Sequence, residues 1–247
     1  MSTKNNFTTG SDAYAQFRPG YPQKLFVFLN SLVQQHGNAW DCGTGNGQVA
    51  VQLSASFHAV YATDISASQL AHAVQRHNIH YSQQAAEQTN FPDDFFDLIV
   101  VAQAIHWFDF EQFYAEVKRT AKPNAVLAVV GYGKHHITPE IDAVVNHLYE
   151  GIVGPYWDKE RRYIDEAYRT IPFPFEELEA LHFPNHYEWT LAQLIGYLRT
   201  WSAVKHYQNK EGNDPVAQII PELTRAWGDA GKRAVSFPLL LRVAQIQ

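Results

Sequence analysis

Residues 40–47 read WDCGTGNG, the pattern in this chain best suited to hold a ligand. The three glycines alternate with other residues after a short apolar run: Gly43, Gly45 and Gly47. Because glycine has no side chain, such a loop turns tightly and lets a ligand approach the backbone. Asp41 precedes the glycines. Loops that bind a dinucleotide pyrophosphate have the spacing G-x-G-x-x-G, but here the third glycine comes early and Gln48 takes the required place, which disfavours a nicotinamide dinucleotide.

A second acidic residue, Asp64, ends the next predicted strand. An ionised carboxylate only accepts hydrogen bonds, so at this position it can bind both hydroxyls of a ribose. The alternative is that Asp64 supplies a negative charge that the dipole at the start of the following helix favours. Together with the glycine loop, the position of Asp64 favours the ribose role.

The elements that must position these residues alternate between short apolar runs and longer amphipathic ones. The apolar runs are β-branched or aromatic and bounded by turn residues, which predicts strands at 38–42, 59–63, 80–83, 95–101 and 125–130. Helices are predicted between them at 48–55, 67–77 and 111–121, the second with Ser66 as its N-cap. Further strands are predicted at 182–189 and 235–244, and further helices at 191–204 and 215–228. Apolar strands that alternate with helices indicate a parallel sheet covered on both faces.

Residues 135–181 interrupt this alternation and are predicted to form a mostly helical cap within a single domain, 1–247. The segment is dense in aromatic residues, among them Tyr156, Trp157 and Tyr163. It follows the fifth strand, whose carboxyl end faces the edge where open α/β sheets bind ligands, so we expect it to cover a ligand site. The alternative is that these rings only anchor the insertion to the domain.

The composition excludes several classes of function. The formal net charge is −6 and no run of lysines and arginines occurs, whereas nucleic-acid binding requires a cationic surface. The single cysteine, Cys42, excludes an intrachain disulfide and a cysteine-rich zinc module. His72, His77 and His80 lack the i, i+4 pairing of a helical zinc site, so no metal is expected. A polar N-terminus and short apolar stretches predict a soluble, cytoplasmic protein without membrane contact.

Several motifs resemble those of class I S-adenosylmethionine-dependent methyltransferases of the type 11-like group. Residues 14–22 (YAQFRPGYP) and 104–109 (AIHWFD) are similar to motifs of one branch, that of the trans-aconitate methyltransferases and related small-molecule enzymes. Residues 86–92 resemble the segment that lies against the adenine in relatives, and residues 96–100 resemble their fourth strand. Residues 200–203 resemble a late tryptophan-serine motif of the same branch.

One motif departs from this group. Residues 121–125 read AKPNA where LKPGG is usual. Asn124 tolerates the left-handed backbone conformation, so the turn before the fifth strand can still form.

The resemblance implies a Rossmann-like α/β fold with seven mostly parallel strands, helices on both faces and the helical cap. It also implies S-adenosyl-L-methionine as the cofactor. The residues expected to bind the cofactor are Tyr14, Arg18, Asp41, Gly43, Gly45, Gly47, Asp64, Ile65, Ala86, Glu87, Ala102 and Gln103. The alternatives for Arg18 are that it pairs with an acidic substrate or that it is a surface charge.

The acceptor is expected to be a small molecule, methylated on a carboxylate or a hydroxyl. A carboxylate is already ionised at neutral pH, whereas a hydroxyl requires a base, for which His106 and Tyr132 are the candidates. The residues expected to contact the acceptor are Trp107, Trp157, Arg161 and Trp201. The alternatives are that His106 only satisfies a turn and that Trp107 only packs in the core.

These expectations describe a methyltransferase that acts as a monomer or homodimer, with no nucleic-acid or membrane partner. Two other functions remain open. The first is a non-catalytic protein that binds S-adenosylmethionine or S-adenosylhomocysteine with the same fold. The second is a nicotinamide-dependent oxidoreductase, which Gln48 disfavours.

Overall fold

A computed structural model of the chain describes residues 17–246. The strands are β1 Asn38–Cys42, β2 Ala59–Asp64, β3 Ile79–Gln83, β4 Phe96–Ala102, β5 Ala121–Tyr132, β6 Glu176–Glu177, β7 His186–Trp189, β8 Arg233–Ser236 and β9 Leu239–Gln245. The α-helices are α1 Gln23–Leu32, α2 Gln48–Leu53, α3 Ala67–Ala71, α4 Phe110–Thr120, α5 Pro139–Asn146, α6 Arg161–Asp165, α7 Leu191–Arg199, α8 Ser202–Glu211 and α9 Pro215–Trp227. Short 3₁₀ turns occur at Ile105–Trp107 and Gly154–Tyr156, and a π-helical turn occurs at His147–Ile152.

Seven of these strands form one sheet in the order β3-β2-β1-β4-β5-β9-β6. Strands β1 to β5 run parallel to one another, whereas β9 runs antiparallel to both of its neighbours, β5 and β6. The predicted Rossmann-like, seven-stranded, mostly parallel sheet is therefore confirmed. Within residues 17–246, no helix has both the length and the apolar character that crossing a membrane requires.

Helices cover both faces of the sheet because alternate residues of a strand point to opposite sides. Leu98 and Val100 of β4 pack in a core with residues of α1 and α2. Ile99 and Val101 pack on the other side with residues of α4. All four side chains are at most 1% exposed. Burial on both faces explains why the strands read as continuous apolar runs without a polar side.

A further hydrophobic core lies in what we call the helical layer, formed by residues 137–157, α7, α8, α9 and the two-stranded sheet of β7 and β8. Its extent differs from the predicted insertion at 135–181. Ile164, Tyr168 and Ile171 of that segment pack against the core of the main sheet, and β6 joins the main sheet itself. Conversely, α7 to α9 lie outside the predicted insertion but belong to the layer. The sequence could not predict this, because an amphipathic pattern shows that a helix has a buried face but not which partner covers it.

The two late strands also differ from their predictions. Of the predicted strand 182–189, only residues 186–189 form a strand. They pair with β8 in a separate sheet, and the last strand of the main sheet, next to β9, is β6. The predicted strand 235–244 is divided at Phe237 and Pro238. Phe237 packs in the helical layer, and the carbonyl of Pro238 accepts a hydrogen bond from the backbone N–H of Gly133 at 2.9 Å. The apolar run of residues 235–244 therefore serves two separate sheets.

Candidate active site

The glycine loop follows β1, and its three glycines all have the left-handed backbone conformation, with φ values of 71°, 57° and 85° for Gly43, Gly45 and Gly47. A Cβ atom added to Gly43 would lie 2.6 Å from the Cβ of Ala104, and one added to Gly47 would overlap the hydroxyl of Tyr81. These two glycines are therefore required by the protein's own packing. Among residues 17–246, a Cβ on Gly45 would meet no atom closer than Gln69 Oε1, at 4.0 Å. Of the three glycines, Gly45 is thus the one at which the space for a side chain is open in the described part of the chain.

Asp41 is fully buried at the end of β1, beneath the loop. Its Oδ2 accepts hydrogen bonds from the hydroxyl of Thr44 at 2.5 Å and from the backbone N–H of Ala50 at 2.8 Å. Its Oδ1 has no hydrogen-bond partner among the described residues. Burial raises the pKa of Asp41 to about 7, against the opposing effect of these two hydrogen bonds. Within the described part of the chain, the carboxyl group therefore has an acceptor atom available for a ligand.

Asp64 lies at the end of β2 and holds the loop from the other side. Its Oδ2 accepts a hydrogen bond from the backbone N–H of Gly45 and its Oδ1 one from that of Ser66, both at 2.8 Å. Burial raises the pKa of Asp64 despite these bonds. The predicted N-cap of α3 is Ser66, whose hydroxyl accepts from the backbone N–H of Gln69. Asp64 therefore has a structural role in the loop in addition to any ligand contact.

A cavity of about 230 Å³ lies between the loop, the carboxyl ends of β2, β4 and β5, and residues 18–21. The predicted site residues that line it are Arg18, Asp41, Gly43, Gly45, Asp64, Ile65, Ala86, Glu87, Ala102, Gln103, Trp107 and Tyr132. Sequence reasoning missed Pro19, Tyr21, Thr44, Asn46, Gln48, Val49, Gln69, Gln84, Ala85, Ala104 and Phe108. Most of these are chain neighbours of predicted residues, which is the signal that could have identified them. The predicted residue Tyr14 lies outside the described residues.

Arg18, Gln103 and Tyr132 form one polar side of the cavity. The guanidinium of Arg18 donates to the hydroxyl and the carbonyl of Thr200, at 2.9 and 3.1 Å, and approaches the hydroxyl of Tyr132 at 3.4 Å. The side-chain amide of Gln103 donates to the carbonyl of Tyr132 at 3.0 Å. Gln103 has φ of 54°, a conformation that non-glycine residues adopt mainly where surrounding contacts require it. This side of the cavity carries a fixed positive charge.

The structure places His106 away from this cavity. The side chain is 6% exposed, and its Nδ1 lies 3.4 Å from the hydroxyl of Tyr168. Burial, assisted by the positive charges of Arg161 and Arg18, lowers the pKa of His106 to about 3. A group with so low a pKa is a weak base at neutral pH. Trp107, the next residue, does line the cavity and is only partly buried, so it is not simply a core residue.

Three of the predicted acceptor contacts, Trp157, Arg161 and Trp201, lie together but do not line the cavity. The guanidinium of Arg161 is 4.8 Å from the centre of the Trp157 ring and donates to the hydroxyl of Tyr149 at 2.8 Å. Trp201 is 2% exposed, and its ring centre is 5.6 Å from that of Trp157. These side chains are each other's partners within and beside the helical layer, and their contact with the acceptor stays a prediction.

Known proteins share this architecture. Residues 40–129 match the methyltransferase domain family Methyltransf_11. A Dictyostelium discoideum protein, named a putative methyltransferase, is 33% identical over 245 residues, which cover 96% of this chain and 93% of that protein. The structure of a putative type II methyltransferase from Anaeromyxobacter dehalogenans matches with a TM-score of 0.85 and 41% identity, over 93% of this chain and 98% of that one.

A more distant structure shares the fold alone. It is Haemonchus contortus phosphoethanolamine N-methyltransferase 2, in complex with phosphomonomethylethanolamine and S-adenosylhomocysteine. The TM-score is 0.52 at 17% identity, over 100% of this chain and 61% of that one. Taken with the sheet order, the glycine loop and the two closer relatives, these comparisons show that the chain belongs to the class I S-adenosylmethionine-dependent methyltransferases.

Proposed function

We propose that this methyltransferase transfers the methyl group of S-adenosylmethionine to a carboxylate of a small-molecule acceptor. The observation that carries the proposal is the cation of Arg18 on the side of the cavity formed with Gln103 and Tyr132. The wall contains no histidine among the described residues, and its acids, Asp41, Asp64 and Glu87, are those assigned to the cofactor. A carboxylate is ionised at neutral pH, so its methylation needs no general base. A guanidinium favours an anionic acceptor through its charge and its matched hydrogen-bond geometry. The resemblance to the trans-aconitate branch supports the same class of acceptor.

Two features of the cavity fit the cofactor. Asp41 Oδ1 is a buried acceptor without a partner among the described residues, and the α-ammonium group of S-adenosylmethionine is a donor of opposite charge. Gly45 has open space before it, so a ligand can approach its backbone. When bound, S-adenosylmethionine supplies a methyl group on a positively charged sulfur. The protein's own part is to bind both reactants, align them and exclude water.

The cofactor contacts that we propose are those predicted from the sequence, with two changes of role. Arg18 is assigned to the carboxylate of the acceptor. Gly47 is shielded by Tyr81, so we assign it to the shape of the loop rather than to ligand contact. The remaining cofactor contacts are Asp41, Gly43, Gly45, Asp64, Ile65, Ala86, Glu87, Ala102 and Gln103, together with Tyr14 beyond the described residues.

Asp64→Asn is expected to weaken the binding of S-adenosylhomocysteine by about ten- to hundredfold, or about 1.5–3 kcal/mol. Both carboxylate oxygens accept backbone N–H bonds, whereas an asparagine has a single side-chain acceptor oxygen. One bond to Gly45 or Ser66 is therefore lost, together with the charge proposed to bind the ribose. Isothermal titration calorimetry measures the change.

Asp214→Asn is the matched control for this substitution. Asp214 caps α9 by accepting from the backbone N–H of Val216 at 3.0 Å, and it lies outside the cavity. Asparagine caps helices about as well as aspartate, so the affinity for S-adenosylhomocysteine should not change. Equal affinity of the Asp64→Asn and wild-type proteins would contradict the role of Asp64.

Binding of S-adenosylhomocysteine at pH 6 is expected to release about one proton from Asp41. With a pKa of about 7, this carboxyl is largely protonated at pH 6, whereas the ligand's ammonium group pairs with the ionised form. The affinity should therefore rise by up to about tenfold per pH unit as the pH increases towards 7, and then level off. Calorimetry in two buffers with different ionisation enthalpies counts the released proton. Asp41→Asn should bind with no proton release, and an unchanged release in that variant would contradict the assignment.

A hydroxyl acceptor is the second candidate, because Tyr132 also lines the cavity. The hydroxyl of Tyr132 lies 3.4 Å from the guanidinium of Arg18, on the polar side of the cavity. Tyr132 is therefore the base that we propose for this case. The low pKa of His106 and its place outside the cavity make it the weaker candidate.

The helical layer is proposed to act as the cap of a single methyltransferase domain. Arg18, which lines the cavity, is held by Thr200 at the end of α7. Through this contact the layer fixes a charged group of the site. Trp157, Arg161 and Trp201 would then influence the acceptor by supporting the cap rather than by touching the acceptor.

A screen of small carboxylic acids and phenols, read by release of S-adenosylhomocysteine, tests the proposed function. Turnover is expected with members of the carboxylic acid set, and Tyr132→Phe should leave that turnover intact. Turnover confined to phenols, and lost in Tyr132→Phe, would establish the hydroxyl alternative. Tight binding of S-adenosylhomocysteine with no turnover of any acceptor would favour a non-catalytic binding protein.

A further inference from the structure

A second pocket of about 310 Å³ opens beside the cavity, and we call it the side groove. It shares Trp107 and Phe108 with the cavity, so these two rings stand between the two spaces. Phe110 and Tyr163 form its other aromatic walls and pack edge to face, with ring centres 5.4 Å apart. An aromatic or other flat apolar group is the chemistry that fits between such walls.

The rim of the side groove is positively charged. Lys159 and Arg162 line it together with one acid, Glu160, whose carboxylate is 3.8 Å from the ammonium group of Lys159. The guanidinium of Arg162 lies 4.7 Å from the centre of the Tyr163 ring and donates to its hydroxyl at 3.0 Å, which fixes the cation against the aromatic wall. The rim therefore has more cations than acids, although the net charge of the whole chain is −6. The positive sign of the rim favours an anionic ligand.

A polar side chain also lies at the buried end of the groove. His106 lines the groove and is itself 6% exposed. The charges of Arg161 and Arg18 add to the effect of burial in lowering the pKa of His106, so the ring stays neutral at neutral pH. A neutral imidazole has one N–H donor to offer an anion or a carbonyl.

We propose that the side groove binds the body of the acceptor: an aromatic or similarly flat apolar group with a second anionic substituent, which Lys159 and Arg162 bind. The inference rests on the proposed function, because it places the reacting carboxylate of the same molecule in the cavity. The shared rings of Trp107 and Phe108 contact the part of the acceptor that joins the two groups. The side groove thus selects dianionic acceptors over monoanionic ones.

The test compares two probes of one size class, terephthalate and benzoate, titrated by ligand-observed NMR into protein saturated with S-adenosylhomocysteine. Wild-type protein is expected to bind terephthalate about tenfold more tightly than benzoate, on the basis of roughly two- to fivefold for each exposed charge contact. The double variant Lys159→Gln/Arg162→Gln should lose this preference. Added salt should reduce it in the wild type and leave the double variant unaffected.

Arg225→Gln is the matched control, because this exposed arginine of α9 lines neither the cavity nor the side groove. It should keep the tenfold preference. A wild type without the preference, a double variant that retains it, or no binding of either probe would overturn the inference. Because the readout is binding without turnover, its failure is distinct from failure of the acceptor screen. A preference found in a protein that methylates nothing would leave the groove assignment standing and remove the proposed function.

Discussion

Gly45→Val is expected to abolish the binding of S-adenosylhomocysteine while the protein remains folded. Space exists for the new side chain, since the nearest atom to an added Cβ is Gln69 Oε1 at 4.0 Å. That space belongs to the cavity, so a valine would occupy the volume through which the ligand approaches the backbone. We expect the affinity to fall by about a thousandfold or more, equivalent to about 4 kcal/mol. Calorimetric titration measures the affinity, and circular dichroism confirms the fold.

Gly212→Val separates this effect from backbone strain. Gly212 ends α8 with φ of 77°, has no atom within 4 Å of an added Cβ and does not line the cavity. A side chain in the left-handed conformation costs at least about 1–2 kcal/mol at either position. The two variants should therefore lose similar thermal stability, and only Gly45→Val should lose binding. Normal binding by a folded Gly45→Val protein would show that the loop is a turn and not a ligand site.

Trp201→Ala is expected to lower the free energy of unfolding by about 3–5 kcal/mol, as do other truncations of large buried aromatic residues. The indole is 2% exposed, with ring centres of Tyr149 and Trp157 at 5.4 and 5.6 Å. Removing it leaves a cavity in the helical layer rather than an opening in the site. Chemical denaturation measures the loss, and the affinity for S-adenosylhomocysteine under native conditions should change little.

Trp107→Ala provides the opposite case. Trp107 lines the cavity and is only partly buried. Its removal should therefore reduce the affinity for the acceptor more than the free energy of unfolding. If Trp201→Ala instead altered substrate turnover without loss of stability, its ring would belong to the acceptor pocket.

The parts of the site that the sequence predicted are those fixed by local structure. A glycine loop directly after an apolar strand, and an acid at the end of the next strand, are set by neighbours in the chain. The sheet order then brings the ends of β1, β2 and β4 to one edge, which places Asp41, Asp64 and Gln103 around one cavity. Neither the burial of His106 nor the Asp41 oxygen that lacks a partner among residues 17–246 has a local signal, because both depend on how distant segments pack.

The differences between the predicted and the observed positions of residues have the same physical origin. The aromatic density near Trp157 indicated a pocket wall, yet rings also satisfy one another, and only their partners distinguish the two cases. Strand β6 spans Glu176–Glu177 alone, too short to show a period of two. The shielding of Gly47 by Tyr81 joins β3 to the loop across the sheet. The spacing of nearby residues predicts none of these contacts.

The position of β9 has a consequence for the order in which the molecule is assembled. Tyr132, which lines the cavity, pairs with Leu239, so the end of β5 is an edge until a segment more than a hundred positions along the chain arrives beside it. During synthesis, the first five strands emerge long before this partner. Closing so long a loop is entropically slow, and an unpaired apolar strand can meanwhile pair with another chain. Completion of the ligand site and protection from aggregation therefore depend on the same late event.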